Sequence, residues 1–258
     1  MVLVVLVGVV IYILSIAAAA TAATIFWLHH SVGRNLISEG NIREQLDGIC
    51  LYDQDYNYIG LTGCDGQPTG HSIDIPNDDT DPAGLHQLLT TPSAARDSCL
   101  QYDVAAFKSC YTASEITSDD QLDQYKALYS DIATTLQALE SQTRSYVMMS
   151  PPPRHRLATT PGASARAREF ANWMGTLAGG RIFFYDLFDQ LADEDGYLKY
   201  EYEQWHGYGD SHPNQLANTI VGADVATFLI TVVDTDTGIS GATPATETWG
   251  SIKAVYSQ

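Results

Sequence analysis

The sequence predicts an α/β fold: a mostly parallel sheet with helices on both faces. Three observations lead there. Short apolar runs of strand length alternate with amphipathic helical segments from residue 24 to residue 233. Those runs are near-continuously hydrophobic, as strands covered on both faces must be. Hydrophobic residues make up 45% of the 258-residue chain, enough to fill one core of ordinary domain size.

The elements follow in order. "TIFWLHHS" (24–31) reads as a buried strand that runs into a loop. "VGRNLISEGNIREQLDG" spaces Leu36, Ile37, Ile42 and Leu46 as a helix does, and Gly48 stops it. "ICLYDQDYNYIG" is a second strand, and residues 60–98, rich in Gly, Asp, Thr and Pro, read as a long loop. "YDVAAF" (102–107) is the third strand. A helix follows, capped by Ser118, with Leu122, Tyr125, Leu128, Tyr129, Ile132, Leu136 and Leu139 on its apolar stripe. "SYVMMSPPP" is a fourth strand ended by prolines, "SARAREFANWMGTLAG" a helix, "RIFFYDLFDQL" a fifth strand, and "NQLANTIVGADVATFLITVV" the closing helix. In the tail at 233–258, Trp249, Ile252 and Tyr256 form a small apolar face suited to docking on the body.

Lys and Arg number 13 against 31 Asp and Glu, a formal charge of −18. Such a surface repels nucleic acid and anionic lipid, so neither is expected as a partner. The segment 1–23 is apolar, and no charge precedes Arg34. It reads as a signal peptide cleaved near Ala20–Ala23, or as an uncleaved anchor, and places the protein outside the cell or on its surface. Of the four cysteines, Cys99 and Cys110 flank a strand that would hold them roughly 25–35 Å apart, beyond disulfide reach. Cys50–Cys64 is feasible, and the pairing stays open. Asp53, Asp55 and Asn57 resemble the start of a calcium loop, but Tyr58 stands where its glycine belongs and no Glu closes it. The histidines lack zinc-ligand spacing. No metal or cofactor is expected.

Active sites of parallel sheets lie at the carboxyl ends of the strands. Ser31 follows the first strand and opens a helix, where backbone N–H groups and the dipole favour a developing oxyanion. Gly33 is expected to let a substrate approach closely. A neutral serine needs a base. His212 lies just before the closing helix, stiffened by Pro213, and Asp210 is placed to orient its ring. The bland alternatives are a capping serine, a surface histidine and an ordinary helix N-terminal acid. Ser211 follows no strand and adjoins His212, so "GDS" at 209–211 is a coincidence of letters. His30 points away from Ser31 if the strand persists, which suits packing or hydrogen bonding.

On these residues the chain resembles an SGNH/GDSL-type hydrolase over residues 24–232. "FWLHHSVGRNLI" stands where the nucleophile block does, with HHS-x-G in place of GDS. "GDSHPNQLAN" stands where the terminal Asp-x-x-His block does, and "YVMMSPPP" is similar to the strand before the family's central loop. The resemblance implies a flavodoxin-like three-layer sandwich on a five-stranded, mostly parallel sheet. It implies a serine esterase acting on acetyl or other short acyl esters, of small molecules or glycans, with Ser31, His212 and Asp210 as the triad. The Asp-x-His spacing is similar instead to that of SGNH-like alginate O-acetyltransferases, so acyl transfer is the alternative. The family's oxyanion asparagine is missing from "KSCY" (108–111), where Ser109, Lys108 or a backbone N–H stands in. Gly60, with Gly63 behind it, is the oxyanion glycine. That missing asparagine also leaves room for a non-catalytic surface protein on the same fold.

Overall fold

The computed structural model describes residues 22–56, 58–76, 81–141 and 143–237. The signal-or-anchor segment 1–21 and the tail from residue 238, with its Trp249 face, lie outside the described residues.

Six strands form one sheet: β1 (Thr24–His29), β2 (Cys50–Asp55), β3 (Ile59–Thr62), β4 (Val104–Lys108), β5 (Ser145–Met149) and β6 (Ile182–Tyr185). Their order is β3-β2-β1-β4-β5-β6. All neighbours are parallel except β2 and β3. Without β3 the order is the flavodoxin-like 2-1-3-4-5. The sixth strand is the difference from expectation. The run 49–60 is not one strand but a hairpin: the chain turns at Tyr56, in the left-handed region at φ 42°, and returns as an antiparallel edge strand. The Cys50–Cys64 disulfide closes this hairpin, with Cα atoms 5.0 Å apart, while Cys99 and Cys110 are free and buried.

Helices cover both faces. On one side α1 (Ser31–Glu39), α2 (Ile42–Gln45) and α8 (Gln215–Thr237) bury Leu36, Ile42, Val221, Val225 and Leu229 against Trp27, Ala106 and Val147. On the other, α3 (Pro82–Thr90), α5 (Asp119–Ala138) and α6 (Pro161–Met174) pack Leu88, Tyr129, Ile132 and Phe170 on Phe26, Leu28, Phe107 and Met148. The helix expected over 32–48 breaks at Gly40 and Asn41, because α8 crosses there. A Cβ on Gly222 of α8 would lie 2.7 Å from the Gly40 Cα. The expected loop at 60–98 contains α3 and α4 (Ala94–Cys99), capped by Asp81 and Ser93. The fifth expected strand stops at Tyr185, since the Asp186 carboxylate accepts from the Asp189 N–H and starts α7 (Leu187–Leu191). By length and composition α8 is the one helix among the described residues able to cross a membrane, and half of it is buried in the fold.

Candidate active site

The strand order reverses between β1 and β4, so the crevice of this sheet opens at their carboxyl ends. β1 ends at His29, and His30 is the N-cap of α1 at φ −124° and ψ −168°. Ser31 is therefore the first helical residue. Its N–H and those of the next residues lack intrahelical acceptors, as at any helix start. Asn214 caps α8 by accepting from the Ala217 N–H, so Pro213 lies outside that helix and not in its first turn. Pro213 bridges Glu203 instead, which ties down the residue after His212.

The two chain ends meet here. Ser31 Oγ lies 2.8 Å from His212 Nε2, and His212 Nδ1 lies 2.7 Å from Asp210 Oδ1. The same carboxylate oxygen accepts from the His212 backbone N–H at 3.0 Å. Burial draws the Asp210 pKa upward, but these two hydrogen bonds and the charges of His212 and His155 outweigh it and hold the carboxyl below its usual range. Asp210 therefore accepts from Nδ1–H, leaving Nε2 with a lone pair facing the Ser31 hydroxyl. The His212 ring also meets Tyr111 edge-on, with centroids 5.4 Å apart, and Tyr111 donates to the Ser211 carbonyl at 2.6 Å.

Ser211 itself does something different. Its hydroxyl accepts from the buried His155 N–H at 3.0 Å and so anchors the His212 loop to the segment after β5. His30 does not turn away from Ser31. The strand has already ended, and His30 Nδ1 lies 3.1 Å from Ser31 Oγ. Gly33 has a structural task rather than the expected one: a Cβ there would stand 2.4 Å from the His29 Cβ. The His29 ring is buried, with Nε2 3.0 Å from Asp53 Oδ2 and Nδ1 3.1 Å from the His30 carbonyl. Burial pushes its pKa down to about 4, against the pull of Asp55, and Arg43 holds the other Asp53 oxygen. The ring is neutral and donates through one nitrogen only. Asp55 pairs with Arg34 at 3.1 Å, so both acids of the apparent calcium motif serve ion pairs.

The expected oxyanion residues lie elsewhere. Gly60 is in the edge strand β3 against the His71 carbonyl, 2.7 Å from where its Cβ would stand. The Ser109 hydroxyl is buried and bonded to the Tyr129 hydroxyl at 2.7 Å. Neither shares a hydrogen bond with Ser31, His212 or Asp210 among the described contacts. Lys108, at the end of β4, is fully buried, and its Nζ has no hydrogen-bond partner among the described residues. One step beyond the Leu28–Phe107 pair, it sits beside His29. Two surface depressions, one by Gln137–Ser141 and one between α1, α2 and β3, do not include Ser31.

No family model matches the chain, and no curated protein does. One similar solved structure, from Streptococcus pneumonia, is provisionally described as a platelet activating factor. It is 13% identical, covers 83% of this chain and 86% of its own, and superposes with a TM-score of 0.46.

Proposed function

We propose that the chain is a serine esterase that works through an acyl-enzyme on Ser31. The observation that carries this reading is the continuous hydrogen-bonded path Ser31–His212–Asp210, at 2.8 and 2.7 Å, at the mouth of the parallel sheet. Ser31 Oγ attacks the ester carbonyl while His212 Nε2 takes its proton, and Asp210 stabilises the resulting imidazolium. His212 returns the proton to the departing alkoxide. It then takes one from water, which releases the acid and restores Ser31. Free N–H groups at the start of α1 supply part of the stabilisation of the tetrahedral oxyanion.

The substrates under this reading are short acyl esters of small molecules or glycans, met outside the cell, in line with the −18 charge and the apolar 1–23 segment. Residues 24–232 form the hydrolase domain. The Asp-x-His spacing supports transfer to a sugar hydroxyl as a second reading, using the same acyl-enzyme. Turnover of p-nitrophenyl acetate by wild type and Ser31→Ala tests the first reading, and equal rates would sink it. Product analysis with oligosaccharide acceptors separates transfer from hydrolysis. A fluorophosphonate probe that fails to label Ser31 would favour a non-catalytic surface protein.

A further inference from the structure

We propose that His30 is a catalytic residue: its Nδ1–H donates a hydrogen bond to the oxyanion formed when Ser31 attacks, the role left vacant by the missing asparagine. The inference rests on Ser31 being the nucleophile.

The argument is one of hydrogen counting. Asp210 takes the Nδ1 hydrogen of His212, so Nε2 can only accept. The single Ser31 hydrogen goes there, at 2.8 Å. Ser31 Oγ then has only lone pairs to offer His30 Nδ1 at 3.1 Å, so that nitrogen carries a hydrogen. A fixed N–H donor thus points at the nucleophilic oxygen from the side opposite the base. When Oγ bonds to the carbonyl carbon, the π pair moves to the carbonyl oxygen, which is attached to the same carbon. A donor aimed at Oγ needs only a small swing to reach it. His30 keeps its proton throughout: the Ser31 proton passes to His212, the tetrahedral adduct collapses, and the leaving alkoxide takes that proton.

The surroundings hold the ring in this state. The Tyr58 ring meets it edge-on with centroids 4.8 Å apart, and Tyr56 lies behind at 6.4 Å. Partial burial lowers its affinity for a second proton, and the charges of Lys108 and Arg34 act the same way against Asp55. The buried, unpartnered Lys108 ammonium also adds positive potential on the side where the oxyanion develops.

The test uses His30→Ala and His30→Asn in the full chain, with p-nitrophenyl acetate. Asn places an amide nitrogen at the same branch position as Nδ1 but cannot act as a base. His30→Ala is expected to lower kcat by roughly 10²–10³-fold with little change in KM. His30→Asn is expected to recover at least about tenfold of that loss, and both variants should unfold thermally close to wild type. Wild-type kcat in His30→Ala would overturn the proposal. So would an Asn variant that folds and is no faster than Ala. Failure of the underlying reading looks different, because Ser31→Ala would then stay active whatever His30 does.

Discussion

Replacing Gly33 by alanine separates local propensity from tertiary packing, because the two predict opposite signs. Gly33 lies in the first turn of α1, where alanine is the better helix former by about 1 kcal/mol. On that ground alone the variant gains stability. The tertiary contact says otherwise. The new Cβ would meet the His29 Cβ at 2.4 Å and its Cγ at 2.8 Å. Carbon atoms prefer about 3.5–4.0 Å, so the overlap is roughly 1 Å. His29 cannot yield easily, since both ring nitrogens are held and the residue ends a central strand. The start of α1 must therefore move by about that overlap, and overpacking of this kind costs about 1–3 kcal/mol. The net expectation is a loss of about 1–2 kcal/mol after the propensity gain, read by urea unfolding. Ser31 rides on the same turn, so its 2.8 Å contact with His212 is displaced too. A misplacement near 1 Å costs on the order of 10²-fold in rate. Gly207→Ala is the control, because nothing lies within 4 Å of a Cβ there. Its stability should stay within about 0.5 kcal/mol. A Gly33→Ala protein as stable and active as wild type would refute the claim that Gly33 is required by the His29 packing.

Asp210→Asn should reduce kcat by roughly 10²–10⁴-fold with a smaller effect on KM, read from steady-state kinetics. Because the Asp210 pKa is held below its usual range, any acid limb near neutral pH belongs to another group, and full activity in the variant would remove Asp210 from the proposed triad. Ser211→Ala should cost about 1–3 kcal/mol by stranding the His155 N–H, yet leave Ser31 open to a fluorophosphonate; an unlabelled variant that still folds would contradict the assignment of Ser211 to structure. His29 has a folded pKa near 4 against an ordinary 6.5, so its contribution is intact above pH 6.5 and is lost as pH falls toward 4. Relative to His29→Gln, the wild type should lose about 3 kcal/mol between pH 7.5 and 4. Denaturant titrations at both values decide this, and a relative gain on acidification would mean that the ring is an imidazolium paired with Asp53.

Much of the architecture is local and was legible. The strands read as apolar runs, Ser118 accepts from the Gln121 N–H to cap α5, and Leu122, Tyr129, Ile132 and Leu136 of its stripe are buried. The start of α3 was also written in the chain, as Asp81 before Pro82, but lay inside a segment whose composition read as loop. Three features had no local signal. The turn at Tyr56 puts a bulky residue at positive φ, and only the pairing of β3 with β2 rewards it. The break at Gly40 and Asn41 answers to α8, far along the chain. The disulfide partner of Cys50 depended on that same hairpin.

By itself the sequence determined the layered α/β class and singled out Ser31, His212 and Asp210, because strand ends and helix starts are set by short-range periodicity and capping. Only the tertiary structure decided what meets what. Ser31 and His212 are 181 positions apart, and their contact depends on the register of β1 in the sheet and on where α8 crosses α1. The same packing turned His30 toward Ser31, left Lys108 buried without a partner, and drew Gly60 and Ser109 into other contacts. Side-chain direction at a strand end follows from where the strand stops, and in this sheet neighbouring elements set that limit.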